Sequence, residues 1–327
     1  MQEHWQTLLK EVMTSPAELL EQLRLDTGLL PAARRAALLF PLRVPQGFVS
    51  RMQKGDPHDP LLRQVLPLVE EEIVSPGFSQ DPLNEKSANP FPGLLHKYHG
   101  RVLLTLAGAC AVNCRYCFRR HFPYRENIPG GKAWKNILAY ILADTTIYEV
   151  ILSGGDPLLA NDDYLASCIQ DLARISHLKI LRLHSRLPIV LPQRITSDFV
   201  KVLTSTSLQP VMVVHCNHAN ELDDSVASAI ELLRQNKVTV LNQSVLLKGV
   251  NDSVEALVNL SQRLFEFGIL PYYLHLLDKV QGAAHFAVSE TKARELISGI
   301  HAILAGYLVP KLVKEECGAK SKLSITL

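Results

Sequence analysis

No apolar run in the sequence approaches the roughly 20 residues that a membrane-spanning helix needs, so no bilayer span is expected. The opening stretch, Met1 to Lys10, is polar and acidic and lacks the apolar core of a secretory leader. A charge excess of one sign is missing as well. Against 34 Lys and Arg stand 32 Asp and Glu, a formal net charge of +2. The basic residues are scattered rather than striped, which excludes a dedicated nucleic-acid surface. No G-x-G-x-x-G opens a helix and no G-x-x-x-x-G-K-[ST] occurs, so the common nucleotide-binding loops are absent. There is no disulfide framework either: Cys168, Cys216 and Cys317 lie far from one another and from the remaining cysteines. That usage suits a reducing cytoplasm.

What is present is concentrated in Cys110-Ala-Val-Asn-Cys114-Arg-Tyr-Cys117, three thiols in eight residues directly after the apolar run Arg101 to Gly108. Thiolates hold iron–sulfur clusters, and four protein ligands are usual. Three ligands leave one iron of a four-iron cluster open, as a catalytic zinc keeps a position open for its substrate. A zinc knot, or buried thiols that happen to be neighbours, would use the same residues.

At 327 residues the chain has room for one large α/β domain with an appendage. Residues 1–95 read as a helical and irregular extension. Ser15-Pro16 starts one helix as cap and first-turn proline, Pro31 to Phe40 forms another, and Asp81 to Pro92 is a loop lying across the next domain. From Arg101 short apolar strands (102–106, 149–152, 179–183, 211–214, 238–246, 271–277) alternate with helical segments (132–143, 163–175, 196–204, 222–235, 254–267). A further helix covers 289–305. This alternation predicts a parallel sheet, a partial (β/α)6 TIM-like barrel over 96–286, with 287–327 as a helix and tail. A doubly wound sheet is the alternative.

The ends of the predicted strands carry the chemistry. After the first come the three cysteines, after the second Ser153-Gly-Gly-Asp156-Pro157, after the third His184-Ser185-Arg186. The fourth ends in His215-Cys-Asn-His218, the fifth carries Gln243, and the sixth ends in Asp278-Lys279. In a parallel α/β sheet these all fall on the carboxyl-terminal edge, where ligands bind. Taken singly, the Gly-Gly-Asp-Pro stretch is a turn before a helix, His215 and His218 are capping residues, and Gln243 is a satisfied buried amide. Together they outline one cleft floored by a metal cluster.

Cys110-x-x-x-Cys114-x-x-Cys117 with Phe118-Arg119-Arg120, and Ser153 to Leu158, resembles the radical S-adenosylmethionine enzymes, specifically their lysine 2,3-aminomutase branch. The likeness runs from about His96 to the carboxyl terminus through Leu191 to Thr196, Asn242 to Leu247, Pro271 to Tyr273 and Gly306 to Pro310. The short carboxyl terminus and Leu94 to His99 are most similar to the bacterial branch that makes β-lysine for elongation factor P and its ligase.

The resemblance implies an isomerase with a [4Fe-4S] cluster on Cys110, Cys114 and Cys117 and an external electron donor. It places S-adenosylmethionine against Gly154, Gly155, Asp156, Ser185, Arg186 and Gln243. It implies pyridoxal 5'-phosphate on Lys322, with Lys97, Tyr98 and Arg101 near its phosphate and ring. Lysine would be held by Arg119 at its carboxylate and by Asp278 at its distal ammonium, with Glu315 in the register of a second acid. Other outcomes remain open: an ion pair of Asp278 with Lys279, an aminomutase for glutamate, or a non-catalytic iron–sulfur or zinc protein that senses redox state or scaffolds a partner.

Overall fold

A computed structural model of the chain describes residues 4–326. Its centre is a nine-stranded sheet whose strands stand side by side in chain order. They are β1 (Leu94–Tyr98), β2 (Arg101–Ala107), β3 (Glu149–Gly154), β4 (Ile180–Ser185), β5 (Gln209–His215), β6 (Thr239–Val245), β7 (Leu270–His275), β8 (Lys311–Lys314) and β9 (Leu323–Ser324). Each neighbouring pair from β2 to β8 is parallel, while β1 and β9 run antiparallel at the two edges. The six strands expected from the sequence are β2 to β7. Strands β1, β8 and β9 are additions that short apolar patterning did not reveal.

Parallel strands need crossovers, and five of the six from β2 to β8 use a helix with a side-chain cap, the exception being Gly131–Ala143 between β2 and β3. Asn161, Thr196, Asp223, Ser253 and Ser289 each accept a hydrogen bond from the first turn of helices Asp162–Ala173, Ser197–Thr204, Asp224–Gln235, Val254–Glu266 and Glu290–His301. The covered strands are correspondingly apolar, and β3 is buried along its whole length. The amino-terminal helices belong to the same core. Leu19 and Leu20 of helix Pro16–Gln22 pack in one cluster with Phe48, Leu104, Leu152 and Leu183.

The sheet curves far enough for its ends to approach. Lys97 in β1 stands 3.9 Å from Glu315, the residue after β8. Tyr98 Oη donates to the same carboxylate at 3.5 Å. Among the described residues no strand pairing joins β1 to β8 or β9. The result is a partial barrel whose seam is spanned by side chains. The segment before β1 also reaches the stretch after β7: Ser79 N donates to Lys279 O and Gln281 N to Ser79 O, both at 2.9 Å.

Candidate active site

Beyond β2 the chain passes Cys110, Cys114 and Cys117 as bends and turns. A segment without a backbone ladder needs other anchors, and the amino-terminal extension provides them. Asn113 N and Arg115 N donate to Arg43 O and Gln64 O, each at 2.9 Å. The fully buried Arg115 forks onto Glu71 at 2.8 and 2.6 Å, and Arg120 reaches the same carboxylate at 2.8 Å. Removing one member of so enclosed a triad leaves an uncompensated buried charge, a cost of about 3–5 kcal/mol. The extension therefore does more than frame the barrel; it clamps the cysteine segment.

The three thiols are electrostatic neighbours. Burial pushes Cys110 well above its ordinary pKa, and Cys117, Asp156 and Cys114 add to the shift. Cys117 is pushed up to about 12 by burial and by Cys114. Arg186 donates from Nη1 to Cys114 Sγ at 2.7 Å. Its Nη2 reaches Gln64 Oε1 at 2.6 Å and Glu221 Oε2 at 3.2 Å. Three partly buried thiols beside a guanidinium suit a soft metal centre that binds anionic sulfur. Among the described residues no three His, Cys, Asp or Glu side chains converge closely enough to hold a single metal ion. Three thiols that shift one another's titration are a donor set of the kind that iron–sulfur clusters use.

The turn after β3 is locked to the one after β4. Asp156 accepts from Leu158 N at 3.0 Å, Ser185 Oγ at 2.7 Å, Arg186 N at 2.9 Å and Leu187 N at 3.2 Å. Burial nevertheless raises its pKa. Gly155 is required by close approach: a Cβ there would meet Ala109 O at 2.2 Å. At Gly154, with φ +119°, a Cβ would meet Ala107 O at 2.7 Å. In the structure these glycines thus let the β3 turn lie against the cysteine segment.

The second group of expected residues meets at the seam. Lys322 lies between β8 and β9, its ammonium on Glu315 and 5.9 Å from the centre of the Tyr273 ring. Lys320 is exposed, which separates the two tail lysines. Burial pushes Glu315 up, but Lys322 and Lys97 hold it below the usual carboxylate value. Asp278, partly buried, is pushed up to about 7 by its enclosure and by Glu315, with Lys322 and Lys97 opposing. No ion pair joins it to the exposed Lys279. Arg101 stacks on the Tyr98 ring at 4.9 Å.

Arg119 points to a residue the sequence did not flag. It forks onto Glu85 at 2.7 and 2.9 Å, and Lys97 approaches Glu85 at 3.1 Å. Burial opposes the Glu85 charge, yet Arg119 and Lys97 hold its pKa down at about 2. Nothing in the local pattern of Asp81 to Pro92 announces that role.

Inside the barrel, His215 meets Gln243 at 2.8 Å, and burial, Arg186 and Arg119 lower its pKa to about 3. His184 Nε2 and His275 Nε2 are buried without a hydrogen-bond partner. Both are kept neutral, first by burial, with the Lys322 charge contributing. Orphaned acceptors or donors facing a cationic lysine mark a polar interior that suits a bound organic group. His218, by contrast, is the capping residue the sequence allowed, accepting from Asn220 N at 3.2 Å.

Residues 99–182 match the family of 4Fe-4S single cluster domains. The L-lysine 2,3-aminomutase of Escherichia coli strain K12 is 52% identical over 326 residues, 99% of this chain and 95% of that protein. The one from Haemophilus influenzae is 51% identical over 321 residues, covering 98% and 95%. That of Clostridium subterminale is 37% identical over 281 residues, covering 85% of this chain and 67% of the relative.

Proposed function

The chain belongs to the L-lysine 2,3-aminomutase family of radical S-adenosylmethionine isomerases, and from that premise we propose that it converts L-α-lysine to β-lysine. The change is a balanced exchange within one molecule: the amino group moves from Cα to Cβ and a hydrogen moves from Cβ to Cα. When bound, the cluster with S-adenosylmethionine supplies an organic radical, and pyridoxal phosphate supplies an electron sink for the migrating nitrogen.

The chain's own part is placement. Cys110, Cys114 and Cys117 hold the cluster, with Arg186 beside one sulfur. Gly154, Gly155, Asp156, Ser185 and Gln243 line the side on which S-adenosylmethionine would sit. Lys322 anchors pyridoxal phosphate, with Lys97, Tyr98 and Arg101 at its phosphate and ring. Arg119 takes the lysine carboxylate in a bidentate contact. Asp278 takes the distal ammonium, and Glu315 joins it once Lys322 is engaged elsewhere. Enclosure by the barrel excludes water and brings the β-carbon close to the radical source, a proximity effect more than an acid–base one.

The observation that carries this reading is that Asp278, Glu315 and Lys322, from separate parts of the chain, share one electrostatic environment at the seam. Two carboxylates at the far end of the pocket favour a cationic side chain over that of glutamate, because an anion there would stand against two like charges. An external electron donor is part of the proposal, as is use of the product in modifying elongation factor P, which rests on the Leu94 to His99 likeness. The test is anaerobic reconstitution with both cofactors, a reductant and isotopically labelled lysine. Labelled β-lysine is expected; enzyme with a full cluster and both cofactors that leaves lysine unchanged would sink the proposal.

A further inference from the structure

Glu85 sits in the one-turn helix Glu85–Ala88, its backbone N–H held by Asp81 Oδ1 at 3.0 Å. Its carboxylate is 3% exposed by residue and serves two cations at once. Oε2 accepts from Arg119 Nε at 2.7 Å, while Oε1 accepts from Arg119 Nη2 at 2.9 Å and from Lys97 Nζ at 3.1 Å. A guanidinium has two edges that can each grip a carboxylate fork. On Arg119 the Nε–Nη2 edge is taken. The Nη1 side has only long contacts, 3.4 Å to Ser153 Oγ and 3.5 Å to Gly154 O. The rings of Phe118 and Phe122, 4.9 and 5.8 Å from the guanidinium carbon, restrain its plane. A cleft lined by Gln80, Asp81, Glu85, Phe118, Arg119 and Phe122 reaches the pair. Glu85 thus serves both cations, and Lys97 is shared with Glu315 at 3.9 Å.

We propose that Glu85 is a positioning residue for substrate: it fixes one edge of Arg119 so that the opposite edge stands open to the amino-acid carboxylate, and it tethers Lys97 to the same anchor. This rests on the proposed pairing of Arg119 with the substrate carboxylate. An arginine buried only to neutralise a glutamate would have no reason to leave a donor edge with long contacts at the end of β3. Glu85 thereby makes the loop across the barrel end part of the specificity machinery.

The test compares lysine with lysinamide, whose neutral amide replaces the carboxylate, in reconstituted wild-type, Glu85→Gln and Glu85→Asp enzyme. Binding is read by anaerobic calorimetry, turnover as KM and kcat, and integrity as iron content and melting temperature. Wild type should prefer lysine. In Glu85→Gln the amide opposes an N–H to the guanidinium, so lysine affinity should fall at least about tenfold, while lysinamide changes by no more than about twofold. The loss should appear in KM more than in kcat. Glu85→Asp, keeping the charge on a shorter arm, should retain part of the preference.

Equal weakening of both ligands, or of neither, in Glu85→Gln overturns the proposal. Should that variant fail to fold, an undiminished preference in Glu85→Asp overturns it instead. A wild type that isomerises lysine without preferring it to lysinamide removes the role of Arg119 and this inference with it. A wild type that binds with the preference yet makes no β-lysine defeats the proposed function and leaves Glu85 standing.

Discussion

Two polar regions lie inside the barrel, and they are built on opposite principles. Around the cysteines most polar groups are paired with neighbours, although Nε of Arg120 and of Arg186 is buried without a partner among the described residues. Asp156 has four hydrogen bonds, Arg115 and Arg120 share Glu71, and Arg186 spans Cys114, Gln64 and Glu221. At the seam the groups neutralise one another: Lys322 with Glu315, Lys97 with Glu85, while Asp278 sits among them at a pKa of about 7. The first region is a hydrogen-bonded frame against which the proposed cluster and S-adenosylmethionine would sit. The second is a set of opposed charges that small-molecule ligands would take over. A frame should report its damage as lost stability, and a ligand pocket as lost activity.

Lys322→Ala sets the upper end of this contrast. Activity should fall at least about a thousandfold, with reductive trapping of pyridoxal phosphate lost and the melting temperature little changed. A variant that melts much earlier would place Lys322 in the frame. Glu71→Ala should do the reverse. It leaves two buried guanidinium groups without their anion and should cost about 3–5 kcal/mol in denaturant unfolding; unchanged stability would dissolve the distinction from the other side. Asp278→Asn should lower kcat/KM for lysine by about a hundredfold, because the distal ammonium then meets no charge, while iron content is kept.

The smallest expected effect comes from pH. Asp278 has a raised pKa, so it is mostly protonated below about 7 and mostly ionised above it. Lysine keeps its distal ammonium throughout this range, so its KM should decrease as pH rises from 6 to 8, by about tenfold at most. Asp278→Asn should flatten the trend. A KM that increases with pH in wild type would exclude Asp278 as the ammonium's partner.

Much of the frame was legible in the sequence because it obeys local rules. The six strands β2 to β7 alternate with helices whose caps, such as Asn161 and Ser253, stand at the positions that chain chemistry demands. The three cysteines announce themselves by softness and spacing. Asp278 was placed at a strand end by the same alternation, but its role, like the choice of Lys322, came only through resemblance, since a single acid or a tail lysine has no pattern of its own. Strands β8 and β9 are four and two residues long and carry no period to detect. Glu85, Glu71 and Gln64 were missed for a different reason. They belong to segments with no regular patterning, and their partners Arg119, Arg115 and Arg186 lie 34, 44 and 122 residues away. Long-range charge pairing is set by how the chain crosses itself, and no window along the sequence contains it.

Among the described residues, the meeting of β1 with the stretch after β8 is made by side chains and not by a strand ladder. Strands zipped by main-chain hydrogen bonds can separate only by tearing several at once. Here the opposing margins touch through Lys97, Tyr98 and Glu315, side chains that are largely covered. Parting those side chains would break no main-chain bond of the sheet, so the seam and the strand ladder are energetically separate.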